Sequence, residues 1–286
     1  MDELDFYSTP GRMTELGPHA DELAGVGDDL QRAVDTVQGL LLHLFWSQAY
    51  GVDNTTRQDE VQHRSAIEIL DLCKRIDPRP LTEAREPKNH ALLNCRHFST
   101  LTTAILRAAG RPARARCGFA EYFEEGWGVD HWVVEYWDGS GWKMADAQLD
   151  TLQRTFKNMQ FDPLDVPRDQ FLVAGEAWRR CRAGEDEGDR FGLDQSLRGL
   201  WFVEGNVPRD LASLNKMELL PWDSWGVMLE GNSEHHRYDA LFDRVADVTV
   251  RATFDEVRSL YEDELLRVPD TVMSMWPPPP REVRIG

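Results

Sequence analysis

The sequence predicts an α+β fold in which a cysteine-bearing helix packs on an antiparallel sheet, and three observations predict it. Apolar residues recur at helical spacing directly after Cys95, an alternating run follows, and two β-branched and aromatic runs then flank a tight turn. The 286 residues allow up to two domains, and we read one decorated domain. It has a helical segment at 1–87 packed on a core at 88–150, and a mixed extension at 151–286.

Each element has its own signal. Leu30, Val34, Val37, Leu41 and Leu44 form the stripe of a first helix, and a second is expected from Glu60 to Ile76, before the Asp77-Pro78-Arg79-Pro80 break. Phe98, Leu101, Ile105 and Ala108 continue the helix that Cys95 opens, and Gly110-Arg111-Pro112 stops it. Ala113, Ala115, Cys117 and Phe119 alternate with Arg114 and Arg116 as a half-buried strand. His131 to Trp137 and Trp142 to Asp146 flank Asp138-Gly139-Ser140-Gly141, a hairpin signal. If Asp138 pairs with Gly141, Trp137 faces Trp142 and Val133 faces Asp146. His131, two residues before Val133, then shares its face and is the diagonal neighbour of Asp146, with Cα atoms about 7 to 8 Å apart. A slip of one residue would send Asp146 to the other face.

Beyond Asp150 the signals carry no chemistry. Phe171, Ala174, Trp178 and Cys181 read as a helix, and Leu200 to Val203 as a short strand before a Gly205-Asn206 turn. Arg182 to Asp189 reads as a charged loop and His235-His236 as a solvated one. Thr253 to Glu256 is a capping box opening a helix with Phe254, Val257, Tyr261 and Leu265 on one face. Trp201, Trp222 and Trp225 read as core builders, and Pro277 to Pro280 as a polyproline tail.

Cys95, His131 and Asp146 together supply a thiol, an imidazole and a carboxylate, which is what acyl transfer needs. Cys95 sits at a helix N-terminus, where the dipole and unpaired backbone N–H groups stabilise a thiolate. Cys73, Cys117 and Cys181 read as core filler, with no disulfide spacing. His90, Cys95 and His97 lack the paired spacing of a zinc site, so neither a metal nor a cofactor is expected.

Cys95 opening its helix, then Leu106-Arg107-Ala108-Ala109-Gly110-Arg111-Pro112-Ala113-Arg114, then His131-Trp132-Val133-Val134-Glu135-Tyr136 and Trp142 to Asp146, resembles the transglutaminase-like superfamily core. The resemblance covers residues 88–150 and is to bacterial transglutaminase-like proteins. It implies a circularly rearranged papain-like fold and a Cys95, His131, Asp146 triad that forms a thioester from an amide or activated acyl group. One departure is His97, where the family often carries an acidic residue. Water as acceptor would make the chain an amidase, peptidase or deamidase; an amine would make it a transglutaminase or amide synthase. The other class of reading is a catalytically silent binding or scaffold protein. The resemblance also implies an oxyanion donor upstream of the nucleophile, for which Trp46 or Gln48 is placed. With His97, Tyr122, Trp127 and Trp132 these form the expected substrate-binding set. The acidic, aromatic link from Glu121 to Asp130 leads into His131 and should border the cleft, favouring an amine-bearing substrate.

A formal net charge of −18, from 32 basic and 50 acidic residues, disfavours nucleic acid and anionic membranes as partners. The expected partner is a small-molecule, peptide or protein acyl substrate, with an amine as the second possible reactant. Met1-Asp2-Glu3-Leu4-Asp5 lacks a signal-like basic and apolar pattern, and the apolar run Leu40 to Trp46 is too short to span a bilayer. The expectation is a cytoplasmic protein with reduced thiols.

Overall fold

The computed structural model describes residues 2–230, 236–251 and 253–285, so His235 of the expected His235-His236 loop lies outside the described residues. The chain packs as two compact units, Met1–Ala115 with Trp132–Val166, and Arg116–His131 with Pro167–Gly286. Both are discontinuous in sequence. Among the described residues no helix is long and apolar enough to cross a membrane.

The first unit contains α1 (Glu3–Tyr7), α2 (Leu30–Gln38), β1 (Leu41–His43), α3 (Ala66–Ile76), β2 (Ala91–Leu93) and α4 (Cys95–Ala108). It also takes the start of β3 (Ala113–Glu124), the second half of β4 (Trp127–Trp137), β5 (Trp142–Ala145) and α5 (Thr151–Phe156). Helix α4 runs through its core, where Phe98, Leu101, Ala104 and Ile105 are buried with Val34, Val37, Ile69, Leu70, Val134 and Ala145. The short turn Val26–Asp28 comes so close to α4 that a Cβ at Gly27 would lie 2.2 Å from the Ile105 carbonyl oxygen. Only glycine permits that approach. Helix α4 ends as expected, with Gly110 at φ +73° and the Arg111 N–H donating to the Leu106 carbonyl at 3.0 Å.

Two expectations about the N-terminal helices are corrected. The first helix stops at Gln38, and Leu41, which the stripe placed on it, lies in β1. Leu44 lies in the 3-10 segment that follows. The successive buried residues Leu40, Leu41 and Leu42 cannot share one helix face, but a strand covered on both faces accepts them. The second helix begins at Ala66, not near Glu60, because Ser65 and Glu68 build a reciprocal capping box there. The Glu68 N–H donates to Ser65 Oγ at 3.2 Å, and the Ser65 N–H to Glu68 Oε2 at 2.8 Å.

The hairpin register is the expected one: Trp137↔Trp142, Tyr136↔Lys143, Glu135↔Met144 and Val134↔Ala145. Strand β5 ends at Ala145, one residue before Asp146.

The second unit holds the outer half of β3, the first half of β4, β6 (Phe171–Val173), α6 (Ala174–Ala183), β7 (Phe191–Gly192), α7 (Leu200–Leu214) and β8 (Asp223–Ser224). It continues with α8 (Asp239–Arg251), α9 (Phe254–Leu260), β9 (Thr271–Ser274) and β10 (Arg281–Arg284). Strand β3 pairs antiparallel with β6, β4 pairs parallel with β7, and β9 lies between β8 and β10. Helices α6, α7 and α8 pack together, with Trp178 fully buried, its ring on Phe242 and its Nε1–H donating to Asp243 Oδ1 at 2.8 Å. The capping box at Thr253 and Glu256 is present.

Four further expectations are corrected here. Residues 121–130 are not a link: β3 runs to Glu124, a two-residue turn follows, and β4 starts at Trp127. Residues 200–203 are helical, because Val203, Val207 and Leu211 are buried at one-turn spacing, and α7 runs through Gly205, Asn206 and Pro208. Phe171 belongs to β6, and the helix starts at Ala174. The chain after Pro280 is not a free tail, since β10 pairs with β9. Of the three tryptophans read as core builders, Trp225 is buried, Trp222 is half-buried and Trp201 is exposed.

Within this unit Arg116 is 4% exposed, and Asp210 fully buried. The guanidinium makes a two-pronged contact, Nε to Oδ1 at 2.9 Å and Nη2 to Oδ2 at 2.8 Å, and the Cys117 N–H donates to the same carboxylate at 3.0 Å. Removing one member of such a pair costs more than the pair contributes, because the other charge stays in a dry site. Asp210→Ala should therefore lower unfolding free energy by about 3 to 5 kcal/mol, read as a fall in urea midpoint at unchanged slope.

Candidate active site

Cys95 is the first residue of α4, 6% exposed, behind Asn94 in extended conformation as N-cap. The third helical residue, His97, completes the cap. The Asn94 N–H donates to His97 Nδ1 at 3.3 Å, and His97 Nε2 lies 2.8 Å from the His63 carbonyl oxygen. A carbonyl only accepts, so Nε2 carries the proton. Burial, and secondarily the Arg96 charge, hold the His97 pKa well below its ordinary 6.5, so the ring is neutral and Nδ1 is an acceptor. His97 caps the helix, and protein groups engage both of its nitrogens.

Asp146 follows β5 and is 1% exposed. Its N–H donates to the Pro163 carbonyl at 2.7 Å, and its Oδ1 accepts the Gln148 N–H at 2.9 Å. Gln148 Nε2 donates to Gln153 Oε1 at 2.9 Å. Asp150 caps α5 by accepting the Gln153 N–H at 2.9 Å, and its other oxygen accepts the Tyr50 hydroxyl at 2.5 Å. Burial and this carboxylate raise the Tyr50 pKa, so the phenol stays protonated as donor. Gln148, Asp150, Gln153 and Tyr50 border a cavity of about 20 Å³, enough for one water, together with His43 and Phe98.

Strands β1 and β2 run parallel, Leu41↔Ala91 to His43↔Leu93, and leave their ladder at the same end. One chain continues into Leu44–Tyr50, the other into Asn94 and Cys95. Trp46 is half-buried, with its ring 5.4 Å from that of Phe156, and Gln48 is exposed. Phe45, Tyr50 and Phe156 were not singled out by sequence reasoning, because none of them carries a sequence pattern of its own.

In the second unit His131 is 2% exposed and ringed by Phe123 at 4.9 Å, Tyr122 at 6.0 Å and Phe171 at 6.4 Å. Trp127 lies under the Arg198 guanidinium at 5.6 Å. Trp132, in the first unit, is 1% exposed, so its neighbours are protein atoms. The acids before His131 are partly spoken for: Glu121 pairs with Arg190, and Asp130 accepts from Asn206 at 2.7 Å, while Glu124 and Glu125 face water.

The other thiols lie in buried or half-buried settings. Burial pushes Cys73 up to about 12 and Cys181 up to about 11, and Cys117 is fully buried in β3. Among the described residues no three His, Cys, Asp or Glu side chains gather to hold a metal ion.

Residues 54–147 match the transglutaminase-like superfamily, a span that includes Cys95, His131 and Asp146 and begins upstream of α3. No curated protein matches the chain. A solved structure described as a "Putative Cysteine Protease from Cytophaga hutchinsonii" is similar at 15% identity and a TM-score of 0.37. The similarity covers 60% of this chain and 46% of that one, so this chain spans less than half of that protein's length.

The His97 cap has a pH signature. The unfolded chain takes up a proton near pH 6.5 that the folded ring refuses, so stability falls as pH drops through and below that value. Gln in place of His97 keeps a capping group without a titration. Between pH 6.5 and 5, the loss of stability in His97→Gln should be shallower by up to about 1.4 kcal/mol per pH unit, measured by urea unfolding.

Proposed function

We propose that this chain, whose residues 54–147 form a transglutaminase-like superfamily domain, is a cysteine-dependent acyl-transfer enzyme. Cys95 is the nucleophile, His131 the proton carrier and Asp146 the group that orients the imidazole. The observation carrying this reading is the position of Cys95 as the first residue of α4, where helix geometry leaves N–H groups without intrahelical partners. Such groups favour a thiolate and stabilise an oxyanion forming beside it. The hairpin register supports it: continuing the β4–β5 pairing by one residue sets Val133 opposite Asp146, and strand alternation puts His131 on the face of Val133.

The steps follow from these groups. The Cys95 thiolate attacks the acyl carbon, and the carbonyl π electrons move to oxygen. As the tetrahedral species collapses, the bond to the leaving group breaks and the His131 imidazolium gives that group its proton, leaving a thioester. An acceptor, water or an amine, then attacks the thioester carbon while His131 removes its proton, and the thiolate departs. Asp146, held by its own backbone contacts and the Gln148 N–H, stabilises the imidazolium without taking the proton. The expected substrates are small-molecule, peptide or protein acyl donors in an aqueous setting.

Iodoacetamide titrated from pH 5 to 9 should find one fast site, Cys95; fast labelling of Cys73, Cys117 or Cys181 instead sinks the nucleophile assignment. With an acyl substrate in hand, Cys95→Ala should abolish turnover and His131→Ala come close to it. Asp146→Ala should lose on the order of 10² to 10⁴ in rate yet remain measurable. Intact mass after adding amines separates hydrolysis from amide formation.

A further inference from the structure

Phe45 is 67% exposed, Phe156 73% and Leu152 39%, and these are the large apolar side chains left in water among the described residues of the first unit. Single exposed apolar residues are ordinary. These three are not scattered. Phe45 lies on the segment that follows β1, and Leu152 and Phe156 lie on α5, which follows β5 and Asp146. The two segments are tied together twice, by the Trp46 and Phe156 rings in edge contact at 5.4 Å and by the Tyr50 hydroxyl on Asp150 at 2.5 Å.

Backbone topology brings this aromatic surface to the nucleophile. The parallel ladder ends at His43↔Leu93, so Phe45 and Cys95 each stand two residues beyond the same pair. Neighbouring strands lie about 4.8 Å apart, which starts both segments from one short edge. The His43 ring, in edge contact with Phe45 at 5.5 Å, and the Phe45 N–H on His43 Nδ1 at 3.2 Å hold that residue in place.

We propose that Phe45, Trp46 and Phe156 form an apolar wall that selects acyl donors carrying an aromatic or bulky aliphatic group within a few bonds of the reacting carbonyl. The proposal rests on the acyl-transfer reading and adds to it the class of donor. The segments of Phe45 and Cys95 leave the same pair of the ladder, so an occupant of these rings that also presents a carbonyl to Cys95 needs its apolar group close to that carbonyl. A lipid surface suits the site poorly, because the chain carries a net charge of −18.

The test compares two probes that differ only in the apolar group, iodoacetamide and N-benzyl iodoacetamide, from each of which the Cys95 sulfur displaces iodide to form a thioether. Rates are normalised to those of each probe with glutathione, and the labelled residue is read by peptide mass. In the unmodified protein the benzyl probe should gain on the order of tenfold at Cys95, the worth of burying part of one ring. In Phe45→Ser with Phe156→Ser the gain should fall to within about twofold, and Phe156→Ser alone should show part of the fall if the double variant does not fold. An equal gain in the variants, or no gain in the unmodified protein while iodoacetamide still selects Cys95, overturns the wall and leaves the acyl-transfer reading standing. Fast labelling of another cysteine with Cys95 untouched overturns both. A dimer in sedimentation that Phe156→Ser converts to monomer assigns the rings to a contact between copies and overturns the donor proposal.

Discussion

The point at which α4 begins governs the first unit. A helix advances 100° per residue, so starting one residue earlier would swing Cys95 off the helix end and turn Phe98, Leu101 and Ile105 away from the core they share with α2 and α3. Asn94 and His97 close the first turn from outside, and β2 delivers the chain to it from a ladder only three residues long. A cap assembled from an asparagine and a neutral, buried imidazole is specific in a way that a charged carboxylate cap is not. It requires one tautomer and one backbone carbonyl, that of His63.

How much of this was legible in the sequence depended on the range of the signal. The hairpin between β4 and β5 is set by four turn residues, with the Asp138 N–H on the Gly141 carbonyl at 3.1 Å, and its register could be read residue by residue. The end of α4 at Gly110 and the capping box at Thr253 are equally local. The parallel pairing of β1 with β2 was not legible. It joins residues fifty apart, and no turn chemistry links them. Nothing in Leu40-Leu41-Leu42 distinguishes a buried strand from the end of a buried helix. The same ambiguity hid α7, whose Gly205 and Asn206 mimic a turn while Val203, Val207 and Leu211 hold the helix.

For the candidate site, chemistry was more legible than support. Cys95, His131 and Asp146 are recognisable by type and order, whereas the groups around them come from distant segments. Tyr50 on Asp150 spans 100 residues, and the aromatic cage about His131 draws on β6 as well as β3. His97 carries two readings. Two places after Cys95, a histidine attracts a functional reading, and its position as third residue of a helix is also where a capping group belongs.

The route of the chain between the two units bears on the order in which they can form during synthesis. The first unit lacks β5 and the Asp146 turn until residues 132–166 have left the ribosome, by which time the stretch 116–131 belonging to its neighbour has already been made. That stretch includes Trp127, Val129 and the aromatic outer end of β3, and its strand partners β6 and β7 come only with residues 171–192. A nascent chain thus carries a finished hairpin arm with unpaired edges for tens of residues of translation, a period in which edge pairing with another chain competes with native closure. Slow or paused elongation between Val166 and Gly192 would lengthen that exposure without altering a single contact in the finished protein.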